Sequence, residues 1–123
     1  MSDDMSLTEW LASTQEARDA LDAFARSPLP ADASERHADM DKAIQSADDS
    51  GRLLADSESY LSLAKAQALM ALLQRDDLNA KDRDTLLRSE VRGVQRLVDG
   101  LAVTERSIRN RLFVSMNQSR ARL

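Results

Sequence analysis

Between Leu87 and Met116 apolar residues return at intervals of three, four or seven: Leu87, Val91, Val94, Val98, Leu101, Ile108, Leu112 and Met116. Residues so spaced share one face of an α-helix, and sustained over this length they form a seam of the coiled-coil kind. A helix with one apolar face must bury it against a neighbour, so this pattern demands at least one long partner helix. One seam position, Glu105, is polar. The pattern predicts a helix over about 80–118, about 58 Å long at 1.5 Å per residue.

The rest of the chain supplies the partners. Ser6 followed by Glu9 is a capping box, and Leu7, Trp10, Leu11, Ala17, Leu21 and Phe24 then recur at helical spacing, which predicts a helix over about 7–26. Ser27-Pro28-Leu29-Pro30 ends it, because proline lacks an amide hydrogen and disfavours helix in the residue before it. After this linker, 27–33, either Asp32 or Ser34 caps a helix over about 34–75. Its seam is Met40, Ile44, Ala47, Gly51, Leu54, Leu61, Ala64, Ala68 and Leu72. Asp48-Asp49-Ser50-Gly51 and Asp56-Ser57-Glu58-Ser59 are poor helix interiors, so a kink at 50–57, or two helices in place of one, is the alternative there. Arg75-Asp76-Asp77-Leu78-Asn79 reads as a tight loop with Asn79 as the next cap, and a loop that short makes its flanking helices antiparallel neighbours. No segment alternates as a strand would, and no repeat of fixed period stands out. The expected fold is all-α, a single domain over 1–123: an elongated, coiled-coil-like, three-helix arrangement in which a long antiparallel hairpin carries a shorter N-terminal helix.

The core available to such a fold is thin. Leu, Ile, Val and Phe number 27 of 123 residues, and the aromatics are Trp10, Phe24, Tyr60 and Phe113. A bundle of that composition is elongated, or is completed by a partner or a second copy. Charge is unevenly spread. Residues 1–58 carry 14 acids and 5 bases, giving −9, whereas residues 59–123 carry 12 bases and 7 acids, giving +5. Such a split leads one to expect that the halves pack together, or that each meets a different partner. The acidic start Met1-Ser2-Asp3-Asp4 is unlike a secretory signal, and the longest apolar run, Ala68 to Leu73, falls far short of the roughly 20 residues a membrane span needs. The expectation is a soluble protein, cytoplasmic or packaged in an assembly, with no membrane contact.

The residue types that carry chemistry are sparse or badly spaced. The chain has no cysteine, so disulfides, thiolate metal sites and Cys nucleophiles are excluded. His37 is the one histidine, and Asp39 and Asp41 beside it do not make a ligand set. Asp48 and Asp49, adjacent on a helix, point about 100° apart and do not converge on one atom, and Asp76 and Asp77 sit in a loop beside Asn79, where turns and caps use such residues. No serine has a base and an orienting acid within an elbow motif, and Gly51, Gly93 and Gly100 stand alone, not in a phosphate loop. The expectation is therefore a non-enzyme without metal or cofactor. Partner binding is the remaining role. Arg88, Arg92 and Arg96 form a row four residues apart, and Arg106, Arg109, Arg111, Arg120 and Arg122 crowd the C-terminus. The absence of interleaved aromatics and the acidic total argue against nucleic acid, and leave either a solvated or internally paired basic face or contact with an acidic protein partner or a second copy. Gly93 and Gly100, seven apart, allow a backbone to approach closely, either within the hairpin or from a partner. Leu112, Phe113 and Met116 offer an apolar helix end that docks into a groove or packs in the core.

The segment Leu86-Leu87-Arg88-Ser89-Glu90-Val91-Arg92-Gly93-Val94-Gln95-Arg96-Leu97-Val98 resembles the Arg-Gly-centred helix of small helical proteins encoded among the head and portal genes of tailed bacteriophages, with Tyr60 to Leu73 corresponding to the preceding helix. The likeness covers about 60 residues and implies a virion or assembly accessory protein, virion-associated and without catalytic residues. In size, acidity and Leu/Ala content the chain is also similar to flagellar and type III export chaperones, which implies as the alternative a small regulator that masks a partner.

Overall fold

The computed structural model describes residues 5–121, with side-chain surroundings through residue 118. It contains four helices and, among the described residues, no strand: α1 (Leu7–Arg26), α2 (Ala33–Leu73), α3 (Ala80–Glu90) and α4 (Arg92–Ala121). The all-α hairpin architecture expected from the spacing is present.

Local chemistry sets the ends. The Ser6 hydroxyl accepts from the Glu9 amide at 3.1 Å, and the Ser27 amide donates to the Phe24 carbonyl just ahead of Pro28. Of the two candidate caps for α2 the chain uses Asp32, whose carboxylate accepts from both the hydroxyl and the amide of Ser34. Those hydrogen bonds, the hydroxyl's foremost, hold the Asp32 carboxyl below its ordinary pKa. Asn79 caps α3, its side chain accepting from the Asp82 amide at 2.8 Å.

α2 runs unbroken for 41 residues, straight through 50–57. Ser50 and Ser57 are wholly buried there, and each hydroxyl donates back into its own turn, to the carbonyls of Ala47 at 3.1 Å and Leu54 at 2.7 Å. A buried serine that finds an acceptor within its own helix leaves no orphaned polar group, so it acts as a small seam residue that lets a neighbouring helix come close. The seam of the first half of α2 accordingly differs from the apolar reading. Its buried positions are Asp39, Ala43, Ser46, Ser50 and Ser57; Ala47 and Leu54 of the expected seam are half-buried against the core, and Ile44 points outward at 54% exposure.

The expected continuous helix over 80–118 is corrected by the structure. It divides at Val91, whose φ of −99° and ψ of 5° leave the helical region and whose amide is shared between the carbonyls of Leu87 and Ser89. Ser89, Val91 and Gly93 each have lower helix propensity than Ala or Leu, so the turn falls where the helix is weakest. Val91 itself stays buried against α2, in a cluster with Leu61 and Val98.

α2 and α4 form an antiparallel spine, α3 extends it along the far end of α2, and α1 lies across both long helices. Three apolar clusters follow the spine: Leu21, Phe24, Ala43 and Ile108 at one end, Trp10, Tyr60 and Leu101 in the middle, and Leu61, Val91 and Val98 towards the other end. The start of α1 is anchored by its aromatics. The Trp10 and Tyr60 rings lie 5.6 Å apart, the Trp10 indole donates to Asp56 at 3.3 Å, and the Tyr60 hydroxyl donates to the Met5 carbonyl at 2.8 Å. Burial, aided by the charges of Asp56 and Glu9, pushes the Tyr60 phenol above its ordinary pKa. No helix among the described residues is long and apolar enough to cross a membrane.

Candidate functional site

The residues singled out for partner binding fall in two places along α3 and α4. Arg92 and Phe113 lie 21 positions apart on one helix, which separates the two places by roughly 32 Å.

At the Val91 turn, the arginine row is brought together as expected. Arg88 from α3 and Arg92 and Arg96 from α4 line a groove of about 680 Å³, and α2 contributes Lys65 to the same wall. Leu87 and Val91 give it an apolar side, and Asp84 and Asp99 are its acids. Four cations against two carboxylates leave it net positive. Asp84 already pairs with Arg88 at 3.1 Å, and Asp99 accepts from Gln95 at 2.9 Å. Among the described residues, Lys65, Arg92 and Arg96 have no ion-pair partner. Lys65 was not legible as part of the site, because 23 residues separate it from Arg88 and only the α2–α3 packing joins them.

Gly93 and Gly100 are exposed, and a Cβ added at either would meet nothing within 4 Å. Close packing of these glycines within the hairpin is therefore not what the fold uses. Gly100 opens beside Arg96, Leu97 and Thr104 onto a shallower cleft against α1.

The second place is the end of α4. Leu112 is half-buried against the Leu21, Phe24, Ala43 and Ile108 cluster, so its role is core packing. Phe113 is 64% exposed, and Val114 and Met116 are each 40% exposed. Arg109 is held by Glu105 one turn earlier, which also accounts for the polar position in the seam. Arg122 and the side chain of Arg120 lie outside the described residues.

One arginine of the C-terminal group has a role that the sequence did not reveal. Arg111 is 8% exposed and reaches inward to Asp39, its Nε at 3.0 Å from Oδ2. Its Nη1 also donates to the carbonyls of Phe24 and Ser27, and its Nη2 to that of Pro28, while the guanidinium sits 4.5 Å over the Phe24 ring. These are the carbonyls freed where α1 ends and the proline linker begins, so one side chain caps α1, neutralises a buried carboxylate and ties three helices together.

Among the described residues no three His, Asp or Glu side chains gather as a metal site would require. Comparison with known protein families, with curated proteins and with solved structures finds no match for this chain.

Proposed function

We propose that this chain is a non-catalytic helical component of a larger assembly, a virion or accessory protein that docks onto a protein partner through its last helix. The observation that carries the reading is the apolar end of α4. Phe113 lies five positions from the fully buried Ile108, roughly 140° around the helix, and so faces away from the core. With Met116, one turn on along the same side, it makes an apolar surface, the form in which amphipathic helices enter partner grooves. The thin core and the likeness of Leu86–Val98 to a helix of phage head and portal cassettes support the same reading. Sedimentation across the micromolar range, alone and with candidate assembly proteins, tests it. The wild-type chain should associate, and Phe113→Asp with Met116→Asp should abolish association while leaving the helical content intact. A chain that stays an inert monomer, or that associates equally well with both substitutions, would sink the proposal.

A further inference from the structure

The charge split between the two halves is almost entirely unspent within the molecule. Among the described residues, five of the ion pairs are local: Arg26–Asp22, Arg52–Asp48, Arg75–Asp77, Arg88–Asp84 and Arg109–Glu105. The one pair that joins the acidic half to the basic half is Arg111–Asp39. The halves pack, yet few of their opposite charges pair: even Arg96, which shares a cleft with Asp19 and Asp22 of α1, forms no ion pair among the described residues.

The excess has a definite shape on each side. The positive side is the groove at the Val91 turn, walled by Lys65, Arg88, Arg92 and Arg96, to which α1 contributes no residue. On the negative side, α1 packs inward through Trp10, Leu21 and Phe24, and the strip along its outward flank, roughly 90–150° from that face, is Glu9, Ala12, Glu16 and Ala23, all exposed. That strip holds no base, and neither Glu9 nor Glu16 has an ion-pair partner among the described residues. Its other side chains are methyl groups, so a surface can approach it closely. At 20 residues α1 is roughly 30 Å long, enough to span the arginine row.

We propose that the occupant of the basic groove is the acidic outer strip of α1 from a second copy of this chain. The contact is heterologous, one face of a copy against a different face of the next, and therefore propagates into a ring or an open array instead of stopping at a dimer. This rests on the assembly reading above and names the partner of one surface. The charges set register and attraction, and the alanines of α1 meet the half-buried Leu87.

Charge exchange tests it on the full-length chain by sedimentation and light scattering. Wild type should associate in low salt and dissociate as salt rises, since exposed charge pairs are screened. Arg92→Glu with Arg96→Glu, and separately Ala12→Lys with Glu16→Lys, should each weaken self-association about a hundredfold, in line with like charges placed face to face. All four positions are exposed, so circular dichroism should be unchanged. Mixing the two variants in equal amounts should restore association, because each then offers the other a complementary face. A monomeric wild type, a groove variant that associates like wild type, or a mixture that stays monomeric overturns the proposal. Association that survives Arg92→Glu with Arg96→Glu but is lost with Phe113→Asp and Met116→Asp overturns it too, while leaving the docking role of the α4 end standing.

Discussion

Replacing Arg111 by Met should be the most damaging single change in the protein, and its cost can be worked from what the guanidinium holds. Arg111 and Asp39 are both 7% exposed at the side chain. Removing one partner of a buried ion pair leaves the other charge uncompensated, which costs about 3–5 kcal/mol. The carbonyls of Ser27 and Pro28 lose their guanidinium donor as well, while that of Phe24 keeps the Ser27 amide and hydroxyl, so the junction after α1 should loosen before the rest. A domain of this size has about 5–15 kcal/mol of stability in total, so the variant should remain folded but marginal. Urea unfolding followed by far-ultraviolet circular dichroism reads the loss, and Trp10 fluorescence reads the release of α1. Arg111→Met combined with Asp39→Leu removes both charges and should recover at least about 2 kcal/mol of the summed single losses, the signature of direct coupling. The reasoning fails if Arg111→Met costs less than about 1 kcal/mol, or if the two losses simply add.

Gly93→Ala and Gly100→Ala should each raise stability by about 1 kcal/mol, since both glycines are helical with open space at the Cβ position; a thermal melt of each variant checks this. In acid, Asp32 and Asp77 matter. The hydroxyl of Ser34 holds the first carboxyl below its ordinary pKa and the hydrogen bond from Arg75 holds the second, so their contribution is complete above the unfolded value near 4 and is lost as pH falls through the lower folded values. Acid unfolding of Asp32→Asn with Asp77→Asn should accordingly be flatter over that range than wild type. In alkali the sign reverses. The raised Tyr60 phenol contributes stability below its unfolded pKa of about 10 that disappears as pH climbs through the folded value, and Tyr60→Phe should remove that dependence from the Trp10 fluorescence titration.

The helices and most of their caps were legible because their causes are local. Ser6, Pro28 and Asn79 act within one turn of themselves, and the three-and-four recurrence of Val91, Val98, Leu101 and Ile108 needs only the geometry of one helix. The arginine row was legible for the same reason, as three residues on one helical strip. The first half of α2 misled because periodicity of apolar residues cannot see a seam built of Asp39, Ser46, Ser50 and Ser57. The long last helix misled because a heptad pattern passes through Val91 unchanged even though the backbone turns there.

Sequence by itself thus determined the fold class, the hairpin and the charge split, since each follows from residue type and near-neighbour spacing. Tertiary structure decided which charges are spent and which are offered. Arg111 and Arg92 are the same letter on one basic helix. One meets Asp39 across 72 positions and disappears into the core, and the other stands beside Lys65 at an open groove. Desolvation and pairing depend on distances between residues far apart in the chain, and only packing sets those distances.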